Sequence, residues 1–101
     1  MAKLLVLYNK PADPAAFNRY YHLTHVPLVK KIPGLRSCEV SDGPVQALAG
    51  TAAHFVAILT FDSLDALNAA LSSPEGQAAA ADLPNFAPAG ATLLICESKT
   101  V

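Results

Sequence analysis

Between Tyr20 and Leu35 the chain reads YYHLTHVPLVKKIPGL, which brings two of its three histidines beside two of its three tyrosines. His25 stands four residues after Tyr21, so on a helix the two share a face. Such a pair suits proton transfer. An imidazole with a pKa near ~6.5 takes and returns a proton at neutral pH, and a tyrosine hydroxyl donates to the oxygen of an enolate or carbonyl intermediate. Pro27 has no N–H to reach the carbonyl of Leu23, and its ring disfavours helical geometry at Val26. The helix is expected to kink or end beside His25, and a kink can aim the imidazole into a pocket. The competing reading is that His25 caps a frayed helix end or donates to the freed carbonyl.

The other reactive side chains are more scattered. His22 lies about 100° round the helix from Tyr21 and is expected in solvent. Tyr20 reads as a core or rim aromatic. His54 opens a strand on the parity of Val56 and Ile58; it lines the pocket if it faces the helices and otherwise pairs with backbone at the strand end. Asp82, Pro84 and Asn85 read as a helix stop and a turn toward the last strand. Phe86 is expected on a loop near the sheet edge, where an aromatic can meet a ligand. Glu39 and Glu97 are either inward carboxylates or edge charges that discourage aggregation. His22, His25 and His54 have no carboxylate or cysteine at ligand spacing, so no metal site is expected. No GxGxxG fingerprint is present, and no cofactor is expected.

The elements that must position these groups follow from periodicity. Lys3 to Asn9 is a nearly continuous apolar run, the pattern of a strand covered on both faces. Asp13 and Pro14 open a helix with apolar or aromatic residues at Phe17, Tyr20, Tyr21, Thr24 and Leu28. Pro33-Gly34 marks a turn before a second strand, Leu35 to Ser41. Residues 42–51 form a long loop of the kind that lines sites. Ala53 to Phe61 is the third strand. Ser63 caps a helix carrying Leu64, Leu67 and Leu71, and Ser73-Pro74 opens a short one that Pro84 stops. Ala91 to Ser98 is the last strand.

Strand, helix, strand, strand, helix, strand is the ferredoxin-like order: an α+β fold with a four-stranded antiparallel sheet and both main helices on one face. At 101 residues and 52% hydrophobic content the chain makes one domain, residues 1–101, burying roughly two-thirds of its unfolded surface. Both faces of the strands are apolar: Leu4, Val6 and Tyr8 oppose Leu5 and Leu7, Val56 and Ile58 oppose Phe55, Ala57, Leu59 and Phe61, and Leu93 and Ile95 oppose Leu94 and Cys96. A second copy of the sheet is the simplest cover for the open face, so a homodimer is expected. The second and fourth strands lie on opposite edges, roughly 14 Å apart, too far for Cys38 to bond Cys96. Seven basic residues against eight acidic ones, without a charged stripe, exclude the usual nucleic-acid footprint. The opening MAKLLVLYNKP is too short for a signal sequence or membrane span, and two free thiols favour the cytoplasm.

The stretch FNRYYHLTHVPLVKKIPGL, Phe17 to Leu35, resembles the aromatic, histidine, proline and Pro-Gly-Leu signature of the EthD family, named for ethyl tert-butyl ether degradation. SPEGQAAAADLPNFA, Ser73 to Ala87, is similar to its second signature; together they cover about a third of the chain. The resemblance implies a dimeric α+β barrel with a pocket between sheet and helices in each subunit. It also implies a cofactor-independent isomerase, cyclase or lyase acting on a small cyclic or aromatic compound. His25 would move the proton, Tyr21 would stabilise the developing charge, and Phe17, Leu28, His54 and Phe86 would contact substrate. Two alternatives stand beside it: a non-catalytic dimeric binding or accessory protein for a hydrophobic metabolite in a degradation pathway, and a small monooxygenase or haem-binding relative.

Overall fold

The computed structural model describes all 101 residues. Strands β1 (Ala2–Tyr8), β2 (Ser37–Val40), β3 (Phe55–Phe61) and β4 (Ala91–Glu97) form one antiparallel sheet in the order β2-β3-β1-β4. Helices α1 (Pro14–Tyr20), α2 (Val26–Val29), α3 (Leu64–Ser72) and α4 (Pro74–Phe86) supply the second layer. This is the expected ferredoxin-like α+β fold. The Asp13, Ser63 and Ser73 side chains accept from the N–H groups of Ala16, Ala66 and Gly76, so all three expected caps are in place. No helix is long and apolar enough to cross a membrane.

The sheet's helix-facing side carries Leu4, Val6, Tyr8, Phe55, Ala57, Leu59 and Phe61, all buried. Its other side carries Leu5, Leu7, Val56 and Ile58, each only half-buried, with Leu94 50% exposed opposite Leu5. Register puts Leu93 beside Val6 and Ile95 beside Leu4, on the helix side, yet they are 47% and 45% exposed. Edge strand β4 lies beyond the helices, which pack on β1 and β3. The last strand lies against the first, and Ser98 N–H donates to the carbonyl of Met1 at 2.8 Å. Cys38 is half-buried on one edge and Cys96 exposed on the other, both free.

The first helix neither ends nor simply kinks at Pro27. Residues Tyr21–His25 form a π turn, in which Val26 N–H reaches back five residues to Tyr21, and α2 continues through the proline. The wide turn has a visible consequence. Phe17, Tyr21, His25 and Val29 are all buried at four-residue spacing, although three such steps on an α-helix would carry the last residue about 120° round the axis. The extra residue in the turn removes that drift, as π-bulges at functional sites do. Thr24, expected on the inner stripe, is consequently exposed, and Leu28 only half-buried.

The second correction concerns Pro84 and Phe86. Pro84 lies inside α4, which runs on to Phe86 and closes with Ala87 N–H on the Leu83 carbonyl. Gly76, Ala79, Asp82 and Phe86 share its buried face. Phe86 is therefore a helical core residue, packed among Tyr8, Phe17, Tyr20 and Tyr21, not a loop aromatic.

Candidate active site

His25 projects from the π turn and is 4% exposed. Its Nδ1 lies 2.9 Å from Oδ2 of Asp82 on α4. The other carboxylate oxygen accepts from the Tyr20 hydroxyl at 2.6 Å and from Asn85 Nδ2 at 3.0 Å. Phe86 packs against the imidazole at 4.6 Å between centroids, so ring plane and hydrogen bond together fix the orientation.

The electrostatics set the protonation states. Burial pushes the His25 imidazole below its ordinary 6.5, and the hydrogen bond and charge of Asp82 only partly oppose it. At Asp82 burial acts upward, but the bonds from Tyr20, Asn85 and His25 outweigh it and hold the carboxyl below its ordinary 3.8. At neutral pH the pair is a neutral imidazole and a carboxylate. Nδ1 then carries the proton, donated to Asp82, and Nε2 is left with its lone pair.

His25 and two tyrosines supply polar groups to a small cavity of about 60 Å³ between sheet and helices. Burial raises both Tyr21 and Tyr8 far above the ordinary tyrosine range, so both are neutral phenols able to donate. Tyr21 packs 5.4 Å from the imidazole and against Tyr8 at 5.9 Å. The remaining walls are apolar, including Leu4, Val6, Leu59, Ala79 and Leu83, and the cavity reaches half-exposed Leu93 at the β4 side. A base with a free lone pair and two donors in an apolar enclosure is the arrangement that proton abstraction beside a carbonyl requires.

Of the expected site residues, His25 and Tyr21 meet at this cavity. Phe17, Leu28 and Phe86 line neither it nor the larger groove beyond the aromatic core; Phe17 and Phe86 are core rings. His54 precedes β3, with its N–H on the Tyr8 carbonyl and its ring against Phe17, and lines that groove together with exposed His22. Glu39 and Glu97 are both exposed, not inward carboxylates. Asp82, Tyr20 and Asn85, structural residues by their local sequence, form the hydrogen-bond network behind His25. The 76, 79, 82, 86 spacing marks Asp82 as inward-facing once Pro84 is allowed inside the helix.

Residues 9–89 match the family model of the EthD domain. The chain belongs to the EthD family. An EthD family protein from Bacillus halodurans C-125, solved by crystallography, is 34% identical over 98% of this chain and 99% of its own, with a TM-score of 0.88. An uncharacterized 11.0 kDa protein of the thcB-thcC intergenic region in Rhodococcus erythropolis is 43% identical, covering 100% of this chain and 98% of that protein. More distant proteins share the EthD fold alone. SnoaB of Streptomyces nogalater, described as a cofactor-independent oxygenase, is 16% identical over 99% of this chain and 94% of its own (TM-score 0.68). A Jannaschia sp. CCS1 protein described as dimeric and ferredoxin-like is 18% identical over 96% of this chain and 98% of its own (TM-score 0.71).

Proposed function

We propose that this EthD protein is a cofactor-independent small-molecule enzyme that abstracts a proton next to a carbonyl, as an isomerase, cyclase or lyase does. The observation that carries this reading is a buried His25, bonded to Asp82 behind it, that lines an apolar cavity. Asp82 holds the imidazole in the tautomer that presents Nε2 and stabilises the imidazolium that forms, the role a buried aspartate plays in the serine hydrolase triad. Tyr21 donates to the oxygen on which charge develops, and the proton returns from Nε2 to a different atom. The enclosed volume receives only the reacting end of a ligand, since ligand pockets typically measure about 300–1,000 Å³. The rest of a small cyclic or aromatic substrate leaves through the opening beside Leu93. SnoaB's description fits the same first step, because a deprotonated substrate is what reacts with oxygen when no cofactor is present.

Proton abstraction is read without knowing the product. The protein is incubated in D₂O with a panel of cyclic and aromatic ketones and lactones, and deuterium uptake at the acidic carbon is followed by NMR. Uptake with one class, lost in His25→Gln and reduced in Tyr21→Phe, supports the reading. A folded protein that exchanges no member of the panel, or exchanges equally without His25, overturns it in favour of the binding-protein alternative.

The same reading makes the protein a cytoplasmic homodimer packed through its open sheet face, where Leu5 lies between Ile58 and Leu94. An Ile58→Asp substitution is expected to convert a dimer to a monomer in analytical ultracentrifugation, because a charge at that face loses its hydration on association. A wild-type monomer at micromolar concentration would remove the dimer from the proposal.

A further inference from the structure

Across the aromatic core from His25 lies a groove of about 810 Å³, within the size range of ligand sites. Its cationic and imidazole groups come from three separate segments: Lys10 after β1, His22 in the π turn and His54 ahead of β3. Asp42 is the one carboxylate among its walls. The two imidazoles pack on one aromatic cluster, of which Phe55 reaches the groove wall. His54 sets its ring edge-on to Phe17 at 5.5 Å, and His22 stands edge-on to Tyr21 at 5.4 Å and Phe55 at 6.3 Å. Phe17 and Tyr21 in turn pack on Phe55. Rings contacting only aromatic faces keep their nitrogens for another partner, and each imidazole has at least one N–H donor in either protonation state.

We infer that this groove is a second site, independent of the reaction assigned to His25, which binds a small aromatic carboxylate. Lys10, His22 and His54 would hold the carboxylate, and Phe55, Pro44 and Val45 would face the ring. Three donors from separate segments lining one groove suit an oxyanion, because charge-assisted hydrogen bonds are the strong ones. The apolar part of the wall favours an organic anion over an inorganic one.

The test uses benzoate as probe, with acetate and benzyl alcohol as the forms lacking ring or charge. Ring ¹H–¹⁵N spectra of the histidines are recorded on the full-length protein at pH 7. Benzoate is expected to shift His22 and His54 together and saturably while His25 stays still, and to bind more tightly than either control. Lys10→Gln is expected to weaken it about tenfold, the order for one charge-assisted bond. Asp42→Asn is expected to tighten it by removing the opposing charge, a gain that misfolding cannot mimic. No saturable shift, a response no stronger than to acetate or benzyl alcohol, or indifference to both substitutions overturns the assignment.

Discussion

Replacing Asp82 with alanine is expected to lower the unfolding free energy by about 3 kcal/mol, because it leaves the buried neutral imidazole without its acceptor and removes two further hydrogen bonds to an ionised carboxylate. For a domain of this size that lowers the melting midpoint by more than about 10 °C. Three donors lose their acceptor: His25 Nδ1, the Tyr20 hydroxyl and Asn85 Nδ2. Tyr20 and Asn85 can turn toward water, but His25 at 4% exposure cannot, so most of the cost falls on the imidazole. Tyr20→Phe and Asn85→Ala each remove a single bond at a group that water can reach, and each is expected to cost clearly less than the alanine variant. Urea and thermal melts of the three variants check the ranking; an Asp82→Ala loss below that of Tyr20→Phe would show that the network is not centred on His25.

The same variant changes the acid response, and the sign follows from the two depressed pKa values. His25 and Asp82 both bind protons less readily in the folded state, so wild-type stability falls with pH in two stages. The first begins as pH drops below 6.5, where an unfolded histidine starts to protonate, and the second below 3.8, where an unfolded aspartate does. Without the carboxylate the His25 pKa falls further, so Asp82→Ala should enlarge the first stage and abolish the second's Asp82 share. Melting midpoints across pH 3 to 8 read this directly.

A Gly76→Ala substitution is expected to cost about 3 kcal/mol, despite an intrinsic helix preference of about 1 kcal/mol in its favour. A Cβ at position 76 would overlap the backbone carbonyl of Ala70, with Leu71 Cα close behind. That corner is already bound tightly. The Ser73 hydroxyl donates to the Ala70 carbonyl at 2.5 Å and accepts from Gly76 N–H at 3.0 Å, closing α3 and opening α4 with one side chain. Backbone cannot step aside as a flexible side chain can, so α4 must move, and Asp82 moves with it. Chemical denaturation measures the loss, and the His25 Nδ1–H resonance reports whether the bond to Asp82 loosens in step. A neutral or stabilising alanine would mean that the corner opens at no cost.

Much of the architecture was legible because it is local. The strands' alternating buried faces, the caps at Asp13, Ser63 and Ser73, and the distance between the cysteines all follow from period, turn chemistry and strand order. What stayed hidden depends on residues far apart. Asp82 meets His25 across 57 positions, and an aspartate two before a proline looks locally like a helix stop. The π turn is equally invisible to a 3.6-residue template, which puts Thr24 inward, and a proline taken as a helix stop puts Phe86 on a loop when α4 in fact runs through it. His25 and Tyr21 share one buried face, as their spacing predicts, because a spacing of four tolerates either kind of turn, whereas longer extrapolations along the helix do not hold.

The hydrogen bonding of β1 between β3 and β4 has a consequence for how the protein is made. Of the four strands, β1 leaves the ribosome first yet occupies an interior place in the sheet, and β4, which flanks it on one side, is the last of them to emerge. Until then a run of three leucines and one valine waits with one edge unpaired. Folding during synthesis can thus proceed no further than a three-stranded intermediate, and pairings between distant parts of a chain form slowly. Nascent chains stalled before residue 91 should engage chaperones that released chains escape.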